Sequence, residues 1–156
     1  MDWLNLTEAC GHNFPPDYRR YVERFPPGAI GPLTVHHPLR WPSIQDFVDY
    51  AANHHDVMND RAEMEGGYPY RFGNSVGDLC MWGIIQADYL LCWRITADSP
   101  AGWQTVVCDI SMDDSPESYC GTLTELLLDL GGRREPVPVI SYVTETSLPY
   151  KFHPFR

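Results

Sequence analysis

Six histidines and five cysteines supply the side chains best suited to catalysis or metal binding in this 156-residue sequence. The histidines include two adjacent pairs, His36-His37 and His54-His55. Neighbouring residues point to opposite sides of a strand and diverge by about 100° on a helix, so neither pair offers both imidazoles to one metal ion. One member of each pair could converge with His12 or Asp56, but the H-x-x-x-H and H-E-x-x-H spacings of zinc-binding helices do not occur. Cys10, Cys80, Cys92, Cys108 and Cys120 are odd in number and contain no C-x-x-C pair, which fits neither a disulfide framework nor a zinc site. No metal or cofactor is expected, and the thiols are expected to be free and buried.

A Cys-His nucleophile could be assembled from Cys80 or Cys108 and one of the histidines. A reactive thiol belongs at an exposed turn or a helix N-terminus, whereas these two fall inside apolar, strand-like runs. Asp113 and Asp114 are adjacent, with Glu117 close by, and two such carboxylates could serve glycoside hydrolysis; beside Ser115 and Pro116 they read as turn formers. Neither G-x-S-x-G, a P-loop nor G-x-G-x-x-G is present. The residues make no positive case for catalysis, and a non-enzymatic protein is expected.

Charge points to a different kind of function. Eleven basic side chains stand against 21 acidic ones, a formal net charge of −10 with a sequence pI of about 4.8. Nucleic acids and anionic membranes are polyanions that select for Lys and Arg, so neither is an expected partner, and a basic protein is. No positive leader region precedes an apolar run near Met1, and no stretch approaches the roughly 18 apolar residues of a membrane span, which reads as a cytoplasmic protein. The length suits one domain, burying roughly 70% of its unfolded surface without a disulfide or metal staple.

The elements that would position these groups follow from periodicity. Leu4, Leu6 and Ala9 predict a short helix ending before Gly11, and Tyr18, Tyr21, Val22 and Phe25 predict a second from Pro16 to Phe25. Ala29 to His37 reads as a short extended segment. Ser43 caps the longest predicted helix, running to about Glu65, with Ile44, Phe47, Val48, Ala51, His55, Met58 and Ala62 on its core face. Asp46, Asp49, Asp56, Asp60 and Glu63 fall in a separate arc about 100° wide on the opposite side, a continuous acidic ridge. Leu79–Trp82, Tyr89–Ile95 and Thr105–Ile110 read as antiparallel strands, since their connections are too short for parallel crossovers. Thr122 and Glu125 form the capping box of a last helix, with Gly131-Gly132 as its end signal. From Pro136 the chain reads as extended, ending in an edge strand or ordered tail at Tyr150–His153.

The order of these elements and several short strings resemble the SUKH superfamily, which includes the Smi/Knr cell-wall-assembly regulators and many bacterial immunity proteins. The strings are Phe14-Pro15-Pro16-Asp17-Tyr18, Gly28-Ala29-Ile30, His37-Pro38, Gly77-Asp78-Leu79-Cys80-Met81-Trp82-Gly83, Asp88–Trp93, Trp103–Val107 and Gly121–Leu127. Two departures stand out: Met81 replaces a proline, and Ile84-Ile85-Gln86-Ala87 replaces a polar turn, supplying either extra core or a partner-facing apolar patch. The resemblance implies an α+β domain, helices packed on an antiparallel sheet, that binds a protein and catalyses nothing. The first partner it implies is a basic toxin such as a nuclease, met by the ridge Asp46, Asp49, Asp56, Asp60 and Glu63, with Asp113, Asp114 and Glu117 as a second acidic group. A regulatory scaffold of the cell-wall-assembly type is the alternative, and a small hydrolase the more distant one. Trp82, Trp93 and Trp103 sit at expected strand positions and read as core.

Overall fold

Strand β3 (Leu79–Ile85), β4 (Tyr89–Arg94) and β5 (Gln104–Asp109) form the centre of an antiparallel sheet in the computed structural model, which describes residues 1–66, 68–97, 99–112, 115–131 and 150–155. Four further strands widen it: β1 (Gly28–Ile30), β2 (Leu33–Val35), β6 (Glu117–Tyr119) and β7 (Phe152–Pro154). The order across the sheet is β6-β5-β4-β3-β2-β1-β7, with every neighbour antiparallel. Among the described residues four α-helices complete the α+β fold: α1 (Trp3–Cys10), α2 (Pro16–Arg24), α3 (Ile44–Glu65) and α4 (Leu123–Gly131).

Local chemistry explains the boundaries. Asp2 accepts from the Asn5 amide to start α1, and Gly11, at φ 75°, ends it. Ser43 accepts from the Asp46 amide at the head of α3, and Gly66, again at φ 75°, closes it after 22 residues. The capping box of α4 is reciprocal: the Glu125 amide donates to the Thr122 hydroxyl, and Glu125 accepts from the Thr122 amide at 2.7 Å. Its first amide, Leu123 N–H, donates instead to the buried Asp17 carboxylate of α2 at 2.6 Å, across 106 residues of sequence. Asp17 thus fastens α2 to α4, a duty for the aspartate of the Pro-Pro-Asp-Tyr string that no local spacing reveals.

Several elements differ from the sequence reading. The segment from Ala29 to His37 is a hairpin, β1 and β2 reversing at Gly31-Pro32, followed by a 3-10 turn at Pro38–Arg40. β3 runs on to Ile85, so Ile85 is core and Ile84 half-buried against the same sheet, not an exposed patch. Trp103 lies just before β5, half-buried, after the 3-10 turn Pro100–Gly102. Gly131 is still helical. Cys120 is exposed, whereas Cys10, Cys80, Cys92 and Cys108 are buried as expected. Phe152–Pro154 pairs with β1 as an edge strand, with proline at its end. Asp113, Asp114, Gly132 and the extended reading from Pro136 to Pro149 lie outside the described residues.

A bulge in β3 sorts side chains between the two faces of the sheet. Met81 opposes Cys92 and Gly83 opposes Leu91, leaving Trp82 as the extra residue. A Cβ at Gly83 would sit 3.1 Å from the Thr34 carbonyl oxygen, so the close approach of β2 favours glycine there. One face gathers Cys80, Trp82, Ile85, Leu91, Trp93 and Val107 beneath α1, α2 and α4; the other gathers Leu79, Met81, Leu90, Cys92, Val106 and Cys108 with Met58 of α3 and Phe72.

Candidate functional site

All five ridge carboxylates of α3, those of Asp46, Asp49, Asp56, Asp60 and Glu63, belong to exposed residues, while Phe47, His55 and Met58 on the other side of the helix are buried. From Asp46 to Glu63 the ridge spans roughly 25 Å at the rise of an α-helix. Its two ends differ. Asp46 accepts from the Ser43 hydroxyl at 2.6 Å and Asp49 from Gln45 at 2.7 Å, so the first two are engaged locally. Asp56, Asp60 and Glu63 instead form one wall of a groove of about 850 Å³, whose other wall is Tyr68, Tyr70 and Arg71.

That second wall is held in place by side chains the sequence reading did not single out. Asn59 donates to the Phe72 carbonyl at 2.9 Å and accepts from the Phe72 amide at 2.8 Å, clamping the segment after α3 back onto the helix. The Arg94 guanidinium lies 5.2 Å from the Tyr70 ring centroid, and Tyr68 stacks on Phe72 at 5.9 Å. Arg61, the basic residue of α3, donates to the Ile110 carbonyl at 2.6 Å, which ties the helix to the end of β5. Beyond Asp60 a second groove of about 500 Å³ is lined by Val57, Asp60, Arg61, Met64, Glu65 and Ser111, and Val57 and Met64 are 49% and 84% exposed. Asp60 therefore stands on a crest between two grooves, with carboxylates and a tyrosine wall on one side and two apolar side chains on the other.

Glu117, expected in a loop with Asp113 and Asp114, is in the edge strand β6, half-buried and opposite Val107. It lines neither groove on α3. Placed there it contributes to the sheet edge, while Asp113 and Asp114, the other members of the second acidic group, lie outside the described residues.

The structure does bring one Cys-His pair together. Cys80 Sγ lies 3.5 Å from His12 Nε2, and His12 Nδ1 pairs with the Asn13 carbonyl at 2.8 Å, which places the ring proton on Nδ1 and leaves Nε2 to accept from the thiol. Burial, with Cys10 and Asp78 near, pushes the Cys80 thiol well above the ordinary range, and burial lowers His12. A protonated thiol facing a neutral imidazole is a poor nucleophile. The space beside the pair, about 20 Å³, has room for about one water molecule. Cys108, the other candidate, is fully buried in β5.

The two members of each histidine pair meet different neighbours. His36 faces α3, and His37 turns to α2, where Nε2 donates towards the Phe25 and Val22 carbonyls at 3.0 and 3.2 Å. His54 meets His36 at 6.3 Å between ring centroids, while His55 is buried and accepts from the Met81 amide at 3.4 Å. Among the described residues no group of three or more His, Cys, Asp or Glu side chains is placed to hold a metal ion. None of their helices is long and apolar enough to cross a membrane. Comparison with known proteins finds no family model, no curated protein and no solved structure that matches the chain.

Proposed function

We propose that this is a non-enzymatic binding domain that docks a basic protein partner on the outer face of α3, in the manner of an immunity protein that neutralises a cationic toxin such as a nuclease. The observation that carries the reading is the exposed run of carboxylates from Asp46 to Glu63, continuous with a groove whose far wall Asn59 ties to the helix. A nuclease needs a cationic surface to hold phosphates, and an acidic ridge steers onto such a surface and covers it. The grooves add what charge alone lacks: Val57 and Met64 offer exposed apolar side chains beside acidic ones, an apolar centre with a polar rim. The resemblance of its sequence strings to the SUKH superfamily supports the same reading.

Co-purification with the products of neighbouring genes tests it. A basic protein is expected to be retained, and the variant Asp49→Lys, Asp56→Lys, Asp60→Lys is expected to associate at least tenfold more slowly at low salt. The difference should shrink towards physiological ionic strength, where the Debye length falls to about 8 Å. Association that ignores the three reversals at every salt concentration would remove the ridge from the interface.

A further inference from the structure

The underside of α3 meets the sheet through imidazoles. His36, which extends β2 by donating its amide to the Trp82 carbonyl at 2.8 Å, places its ring against Tyr50 at 5.4 Å and His54 at 6.3 Å. Tyr50 in turn packs on His54 at 4.4 Å and on Trp41 at 4.3 Å. One position on, His55 is 5% exposed and its Nε2 lone pair receives the Met81 amide of β3. Only Phe47 and Met58 join His55 as buried side chains of this helix, so an imidazole supplies a large part of its anchorage.

We propose that this seam is a proton-operated latch, closed while His36, His54 and His55 are neutral and opened by acid, which releases α3 from the sheet while β3, β4 and β5 stay paired. Protonating His55 sets an N–H against the Met81 N–H and abolishes that hydrogen bond. Protonating His36 and His54 places two cations side by side, with the Arg40 guanidinium already near His36 and His12 near His55. Asp56 and Asp78 oppose this by favouring the charged form of His55, and Tyr50 contributes no charge in acid. Burial outweighs the two carboxylates: His36 is pushed down to about 3 and His55 to about 4, with His54 lowered by burial as well. An unfolded histidine titrates near 6.5, so the released state binds more protons below that pH. The latch is therefore at full strength above about pH 6.5 and weakens as pH falls towards 4, each such histidine shifting the opening equilibrium by up to tenfold per pH unit. The latch does not depend on what α3 binds.

Hydrogen exchange, compared at pH 7 and pH 4.5 after correction for intrinsic rates, reads this directly. The amides of residues 44–65 are expected to lose at least tenfold more protection than those of β3–β5. Equal loss in both, or unchanged protection in α3, would overturn the latch. The variant His36→Asn, His55→Gln keeps an acceptor for Met81 and is expected to flatten the pH dependence of α3 exchange, and an unaltered dependence counts against it. Should that variant fail to fold, the imidazole resonances of the unaltered protein decide: midpoints for His36 and His55 well below 6.5 support the latch, and midpoints at or above 6.5 refute it.

Discussion

Beneath α1, α2 and α4, Tyr18 meets Trp93 edge-on at 4.9 Å and Trp82 stacks on Trp93 at 5.8 Å, whereas the opposite face of the same sheet, under the C-terminal half of α3, sets Met58, Met81, Met112, Cys92 and Cys108 among Phe72, Leu79, Leu90 and Val106. Interlocked rings at fixed angles define one arrangement and resist change. Thioethers and thiols are adaptable and fill irregular space with less directional demand. The aromatic side, which also receives Phe47 from the start of α3, thus specifies the fold, and the sulfur-rich side carries the later part of that helix, whose outer surface is free to be acidic. A helix held by Phe47, His55 and Met58 can devote the rest of its circumference to carboxylates, because little of it is needed for the core.

The contrast can be broken first at Trp82, which is 1% exposed. Trp82→Ala is expected to cost about 3–5 kcal/mol in denaturant unfolding, the range for buried aromatic truncation. A loss comparable to that of a surface change would show that the aromatic face does not anchor the sheet. On the other face Met58→Ala is expected to cost about 2 kcal/mol, near the lower end for Met truncation, and Met58→Leu less than about 1.5 kcal/mol. If Met58→Leu proved as damaging as Trp82→Ala, the two faces would not differ in adaptability. Asp17→Ala, which leaves the Leu123 amide buried without its acceptor, should lose about 1–2 kcal/mol, with Asp17→Asn milder because an oxygen remains. The smallest change in stability, within about 0.5 kcal/mol, is expected for the triple reversal of Asp49, Asp56 and Asp60, all exposed. Substantial unfolding by that variant would mean that the ridge serves the fold.

Legibility in the sequence followed the range of the interactions. The 22 residues of α3 were readable because Ser43, the apolar period and Gly66 are all local signals, and the capping box of α4 is equally local. Strands of three residues, β1, β2, β6 and β7, are too short to display an alternating pattern, and they form because each finds an edge to pair with: β2 on β3, β6 on β5, β1 on β2 and β7 on β1. Glu117 read as a loop acid for that reason. The acidic ridge was readable from the helix wheel, but its grooves were not, since the Asn59 clamp joins residues 13 apart through a segment with no periodic signal. The meeting of His36 with His54 required knowing that β2 lies beside β3 under α3, and no spacing announces that.

The role of α3 is tested most directly by carboxylate footprinting. The protein, alone and in complex with a basic protein retained from the products of neighbouring genes, would be labelled with a carbodiimide and an amine and mapped by mass spectrometry. Protection of Asp56, Asp60 and Glu63 in the complex, with labelling elsewhere little changed, is the expected result. Unprotected α3 carboxylates with protection at the β6 edge, or no basic protein retained at all, would contradict the role assigned to α3.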